Sequence, residues 1–277
     1  MMNKMHAPVA VAVSPILLAL VAGGWLSFGR ESGTAAAAEP AAVAEPGGKI
    51  EVVSRAVAVK DVCAWPNLTK LGDGTVVATL FNQPCHGNWE GDVDCWATTD
   101  GGKSWEFLGR PAPHEPTTNR MNVAAGVNGP GELIVLASGW SHRPRRGAGV
   151  AGVSGDARPL LPWVCRSADG GKTWAHAEGV ELPSTSRLAA TEKLSDRIIP
   201  FGAIIPLGSG KVGACLYAWH PATKAHDSYF FTSADDGATW QLAGVIGRGD
   251  LNETTPLRLS GGGLLACART FKEQAPG

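Results

Sequence analysis

Asp92 and Asp94 have the residue type and spacing for proton transfer. They lie two apart in Asp92–Thr99, a run that reads as a strand, so both carboxylates emerge on one face. Two carboxylates held this close raise at least one pKa, as a general acid requires. The plainer alternative is a polar rim. Glu253 and Arg269 form a second pair, 16 residues apart, flanking one predicted hairpin. An arginine fork can bind a carboxylate at two points. Whether the two share a face depends on the Gly261–Gly263 turn. A three-residue turn with a bulge sets them opposite each other. A two- or four-residue turn pairs Glu253 with Thr270 and sends Arg269 to the other face. His86, in the polar loop Asn82–Gly91, has the titration range of an acid or base. A lone loop histidine is more often plain polar surface. His142, Arg143, Arg145 and Arg146 could attract an anionic glycan, with a solvated loop as the plainer reading.

The elements that must position these groups are announced by a repeat. The pattern reads TTDGGKSW from Thr98 to Trp105, SADGGKTW from Ser167 to Trp174, and SADDGATW from Ser233 to Trp240. Its aspartates, Asp100, Asp169 and Asp235, stand 69 and 66 residues apart. A near-constant interval means one supersecondary unit used several times. Asp and Gly at fixed offsets suit a tight turn, and the Trp ring can pack beneath it. Apolar runs separated by Gly-rich turns surround each copy. They include Thr75–Phe81, Asn122–Val127, Glu132–Ser138, Trp163–Ser167, Ile198–Pro206, Lys211–Trp219, Asp227–Thr232 and Leu264–Arg269. Earlier strand-like runs are Lys49–Val59 and Trp65–Lys70. The only amphipathic stretch, Ser186–Leu194, is weak.

The repeated pattern resembles the Asp-box of the sialidase superfamily, S-x-D-x-G-x-T-W. The second and third copies match at every fixed position, and the first keeps the hydroxyls. The resemblance implies an all-β, six-bladed β-propeller in which Asp100, Asp169 and Asp235 are structural and sit on the outer rim. A further stretch, NETTPLRLSGGGLLACAR from Asn252 to Arg269, is similar to the family's N-E-P-x-V-x-E-L-x-D-G-x-L-L-x-x-x-R. By that likeness Glu253 would polarise a tyrosine nucleophile, and Arg269 would be one of three arginines gripping a substrate carboxylate. The likeness also implies an acid/base Asp shortly before the first box, which favours Asp92 with Asp94 second. One departure is clear. Where the family opens its first blade with R-I-P, this chain has Ala64, Trp65, Pro66 and Asn67. Trp65 could stack on a sugar face instead. The family's nucleophile and third arginine come from later blades and cannot be assigned here. Tyr217 and Tyr229 are in the wrong place for the nucleophile.

A formal charge of −1 offers no basic surface for nucleic acid. Lys4, an apolar stretch from Ala7 to Leu26 and the small residues Thr34–Ala38 have the order of a secretory signal. Residues 1–38 therefore read as a signal peptide, with a retained membrane anchor as the alternative. Residues 39–49 read as a linker and 50–277 as a partial propeller with about four blades. The expectation is an exported protein that stops short of ring closure and is inactive by itself. Six cysteines permit disulfides, and Cys85–Cys95 would be the pair if one forms. Small buried thiols are the other reading. No C-x-x-C pair argues for zinc, and no metal or organic cofactor is implied. Asn67–Thr69 and Asn252–Thr254 have the form of glycosylation acceptors.

The function expected is an exo-α-sialidase-like glycoside hydrolase acting on a terminal, acidic sugar of glycans. A non-catalytic propeller that binds glycans or proteins is one alternative. A lyase or other glycosidase dependent on His86 is another.

Overall fold

The computed structural model describes residues 55–62, 65–146, 157–178, 198–220 and 224–270. The expected signal (1–38) and linker (39–49), Cys63, Ala64 and Ser186–Leu194 lie outside them. No helix among the described residues is long and apolar enough to cross a membrane.

The described chain is built only of strands, arranged as successive meanders. The first blade comprises β1 (Asn67–Lys70), β2 (Val76–Phe81), β3 (Val93–Thr98) and β4 (Glu106–Ala112), paired in that order. The second comprises β5 (Asn122–Val127), β6 (Leu133–Ser138), β7 (Trp163–Ser167) and β8 (Ala175–Ala177). The third comprises β9 (Ile199–Gly208), β10 (Lys211–His220), β11 (Ala225–Ser233) and β12 (Gln241–Gly247). A fourth sheet has β13 (Leu251–Arg258) and β14 (Leu264–Thr270). This is the expected β-propeller, with none of its sheets closed into a ring.

Two expectations change. Residues 55–59 of the predicted Lys49–Val59 run are not in a strand. The outermost strands β4, β8 and β12 answer to no predicted run. They carry little apolar periodicity: β8 is wholly exposed, and β12 is mostly exposed or half-buried. Hydrogen bonding to a neighbouring strand, rather than burial, makes them strands.

The innermost strands converge at Gly202. The side-chain amide of Asn67 on β1 donates to the Gly202 carbonyl. β5 and β9 pair in parallel through Ala124 and Gly202. Thr255 of β13 packs against the Gly202 backbone and accepts the Ala203 N–H through its hydroxyl at 3.1 Å. Arg258 then reaches the Pro206 carbonyl, so β13 advances alongside β9 in the same direction. A bulge in β9 permits this approach, and Gly202 at φ +80° has no Cβ to obstruct it.

The blades pack face to face. Val93, Ala112, Val123, Ala137 and Trp163 fill the space between the first and second blades. Ile134, Leu136, Ile204, Leu216, Tyr229 and Trp240 lead the cluster joining the second and third. Each buried Val, Leu or Ile among them contributes roughly 1.5–3 kcal/mol by leaving water. Cys95, Cys165 and Cys215 are buried free thiols, and burial pushes each up to about 12. Cys85 is also free, so the Cys85–Cys95 bridge does not form. Cys95 belongs to the first blade, and its sulfur packs under Gly171 of the second.

The repeated turns join β3 to β4, β7 to β8 and β11 to β12. In the second, Ser167 Oγ donates to Asp169 at 2.8 Å and accepts the Gly171 N–H. The Asp169 carboxylate also takes the Thr173 N–H and hydroxyl. Asp100 and Asp235 repeat this arrangement. Trp174 and Trp240 each donate Nε1–H to the glycine carbonyl of their own turn. Both acceptor-like tripeptides are also structural: Asn67 holds Gly202, and Asn252 is buried.

Candidate active site

Asp92 immediately precedes β3, at the end of the sheet opposite the β3–β4 turn. Gly91 bridges to Asn119 just before β5, and the Arg120 N–H donates to the Gly91 carbonyl at 2.8 Å. Asp92 is thus level with the start of the inner strand β5. Glu253 lies two residues before Thr255, which is level with Gly202 and Ala124. Both carboxylates therefore occupy the end where inner strands begin, and the repeated turns occupy the other.

The structure pairs the six candidate site residues two by two. Asp92 and Asp94 share one face, as their spacing predicts, and Arg110 of β4 bridges them. Its Nη1 is 3.0 Å from Asp92 Oδ2 and its Nε is 2.8 Å from Asp94 Oδ1. Two register shifts between β3 and β4 bring that guanidinium across both acids. Burial pushes the Asp94 carboxyl up, against the opposing pull of Arg110.

Asp92 is gripped on every side. Its Oδ1 accepts the His114 backbone N–H at 2.8 Å and lies 2.6 Å from His114 Nδ1. Its Oδ2 accepts from Asn82 Nδ2 at 3.2 Å as well as from Arg110, while its own N–H donates back to Asn82. Such a carboxylate is an acceptor from four donors.

Glu253 and Arg269 form the second pair. The hairpin turn is the three-residue form. Leu259 N–H donates to Gly263, Gly262 N–H donates to Leu259, and Gly262 sits at φ +82°. A bulge between Thr255 and Asn252 then shifts the register, so that Arg269 lies opposite Asn252 and Glu253 reaches it from the bulge, its Oε2 accepting from Arg269 Nη1 at 2.5 Å. Tyr217 of β10 lies within their electrostatic reach. Burial raises its phenol, the Glu253 charge adds to this, and Arg269 opposes it.

Trp65 and His86 form the third pair, edge to face with ring centroids 4.5 Å apart. Trp65 is half-buried at φ +51°, and His86 is exposed. The loop carrying His86 is pinned by the buried Asn119, whose amide donates to Gly87 and Trp89 carbonyls and accepts the Trp140 N–H. Glu90 in that loop accepts the Thr117 N–H and pairs with Arg145.

Asn82, Arg110 and His114 were not among the sequence candidates. A signal existed for two of them. A four-stranded meander needs a strand after each repeated Trp, and that strand must return to the end where Asp92 lies. Arg110 and His114 sit on and just beyond that returning strand.

The meanders, their rim turns and the polar end of the inner strands define a sialidase-like β-propeller. Three solved structures show the likeness. A Hadza microbial sialidase matches with TM-score 0.57 and 17% identity over 74% of this chain and 42% of its own. Trypanosoma rangeli sialidase, in complex with 2,3-difluorosialic acid as a covalent intermediate, matches with TM-score 0.55 and 19% identity, over 74% and 33%. A protein of unknown function from Dyadobacter fermentans matches with TM-score 0.60 and 19% identity, over 77% and 64%. The chain thus spans less than two thirds of the length of each. No family model and no curated protein matches the sequence.

Proposed function

We propose that this chain carries the site of an exported exo-glycosidase of sialidase type, which hydrolyses a terminal acidic sugar from glycans. The observation that carries the reading is the placement of two charged clusters at one end of the inner strands. Asp92 and Asp94, bridged by Arg110, supply carboxylates for acid–base work, and Glu253 with Arg269 supplies a guanidinium suited to a sugar carboxylate. The fold likeness supports it, since the Trypanosoma rangeli protein holds sialic acid derivatives on the same architecture.

The test is a panel of terminal sugars presented as glycosides. Release of N-acetylneuraminate or a uronic acid, with neutral sugars left intact, is the expected result. Release of neutral sugars alone would overturn the acidic-sugar reading. A second reading, a propeller that binds glycans without cleaving them, is favoured by one observation: Ala64 stands where the family pattern has its first arginine. Saturable binding of sialosides with no release would establish it.

A further inference from the structure

Asp92 does not face the solvent with a free oxygen. Its side chain keeps 9% exposure, while that of His114, against which it rests, keeps 29%. The 2.6 Å contact joins Asp92 Oδ1 to His114 Nδ1, and the His114 backbone N–H bonds to the same oxygen. An ionised carboxylate only accepts, so Nδ1 carries the hydrogen. The tautomer leaves the Nε2 lone pair as the open position of the ring. Nε2 bonds to no described residue. Asp92 is itself fixed by Arg110 and Asn82, and Arg110 is fixed by Asp94. A buried carboxylate, held by a charge, thus orients a half-exposed imidazole at the end of the sheets where Glu253 also lies.

We infer that Asp92 and His114 form a proton-transfer dyad in which His114 Nε2 exchanges the proton and Asp92 is the positioning residue. The inference rests on the glycosidase reading for its substrate, a glycoside with a poor leaving group, and on geometry for the dyad itself. In the first step the imidazolium gives its Nε2 proton to the glycosidic oxygen. The bond from that oxygen to the anomeric carbon breaks, its electron pair stays on the oxygen, which leaves as an alcohol, and the anomeric carbon carries the positive charge as an oxocarbenium ion. In the second step neutral Nε2 takes a proton from water as the water oxygen bonds to the anomeric carbon. The imidazolium is restored, and the sum is hydrolysis. The Asp92 carboxylate stabilises the imidazolium in both steps and keeps its own oxygens unprotonated.

This assignment differs from that of Asp92 as the acid. A proton on Asp92 would need one of its four donors to withdraw. It also differs from the His86 alternative, because His86 is oriented by an aromatic edge and not by a carboxylate.

The experiment compares the full chain with H114Q and D92N. Sialyllactose serves as the substrate with a poor leaving group and 4-nitrophenyl N-acetylneuraminide as one that needs no protonation. H114Q should lose about 10²- to 10⁴-fold in kcat/KM on sialyllactose and less than about tenfold on the aryl glycoside. Equal losses on both, or no loss on either, would overturn the dyad. A second readout is independent of turnover: acylation of histidines by diethyl pyrocarbonate, mapped by mass spectrometry. Measured at a pH where the imidazole is neutral in both proteins, His114 should react at Nε2, and more slowly in D92N, whose amide oxygen is a weaker acceptor for Nδ1–H and leaves Nε2 less nucleophilic. An unreactive His114, or an equal rate in folded D92N, overturns the proposal. Should the wild type cleave neither glycoside, the glycosidase reading falls. The acylation rates then decide the dyad alone.

Discussion

Glu253 reaches Arg269 from inside a bulge, where β13 holds one residue more than β14 between the Asn252–Arg269 and Thr255–Cys267 pairs. Glu253 there adopts φ +35°, and the buried Thr254 beside it anchors the distortion. Its hydroxyl accepts from Ser228 at 2.7 Å and donates to the Asn252 carbonyl. Strained backbone at a charged pair persists only when its surroundings hold it. Thr254→Val leaves the Ser228 hydroxyl without its acceptor, and should cost about 1–3 kcal/mol in a denaturant titration.

Arg269→Met removes the guanidinium proposed to grip the substrate carboxylate. Affinity for N-acetylneuraminate, measured by calorimetry, should fall about 100-fold, as expected for a lost charge-assisted pair. Binding of neutral sugars should not change. An equal fall for both would show that the site had simply collapsed.

Gly202→Ala should be among the most damaging small substitutions. Its Cβ would lie 2.6 Å from the Thr255 side chain, at φ +80°. Crowding against a packed strand and an unfavourable backbone region together cost about 2–4 kcal/mol. A thermal melt would report this. Gly244→Ala, whose Cβ meets nothing within 4 Å, is the control.

The repeated turns should respond to acid. Burial acts to raise the Asp235 carboxyl, but hydrogen bonds from Thr239 and Ser233 more than offset it and bring it to about 2. Hydrogen bonds from Ser104 and Thr98, and from Thr173 and Ser167, lower Asp100 and Asp169 in the same direction. A depressed folded pKa gives stability that is present above the unfolded value and lost as pH falls through the folded one. The melting temperature should therefore drop between about pH 4 and pH 2. Asp235→Asn should melt lower at neutral pH and show a shallower fall with acid.

Thiol labelling separates the cysteines by position. Cys267 is exposed and should react with a maleimide in the folded protein. Cys95, Cys165 and Cys215 should react only in denaturant, because burial keeps them as thiols and out of reach. Early labelling of Cys95 would mean that the first two blades separate readily.

Much of the first three strands of each blade was legible, because strands such as Leu133–Ser138 are buried along their length and read as apolar runs. The repeated turns were legible because their hydrogen bonds run within eight residues. The outer strands were not, since Ala175–Ala177 is exposed throughout and has no burial to record in its composition. With the outer strand of the first blade went Arg110 and His114, which depend on where that strand returns.

What the sequence alone determined is local: the turns, the period of the repeat and the shared face of Asp92 and Asp94. What only the tertiary structure decided is which distant groups meet. His114 finds Asp92 across 22 residues, and Asn67 finds Gly202 across 135. Alternation along a strand assigns a side chain to a face. Bulges and the packing of one blade on the next then choose its partner, and these arise from contacts between segments that no short stretch of sequence contains.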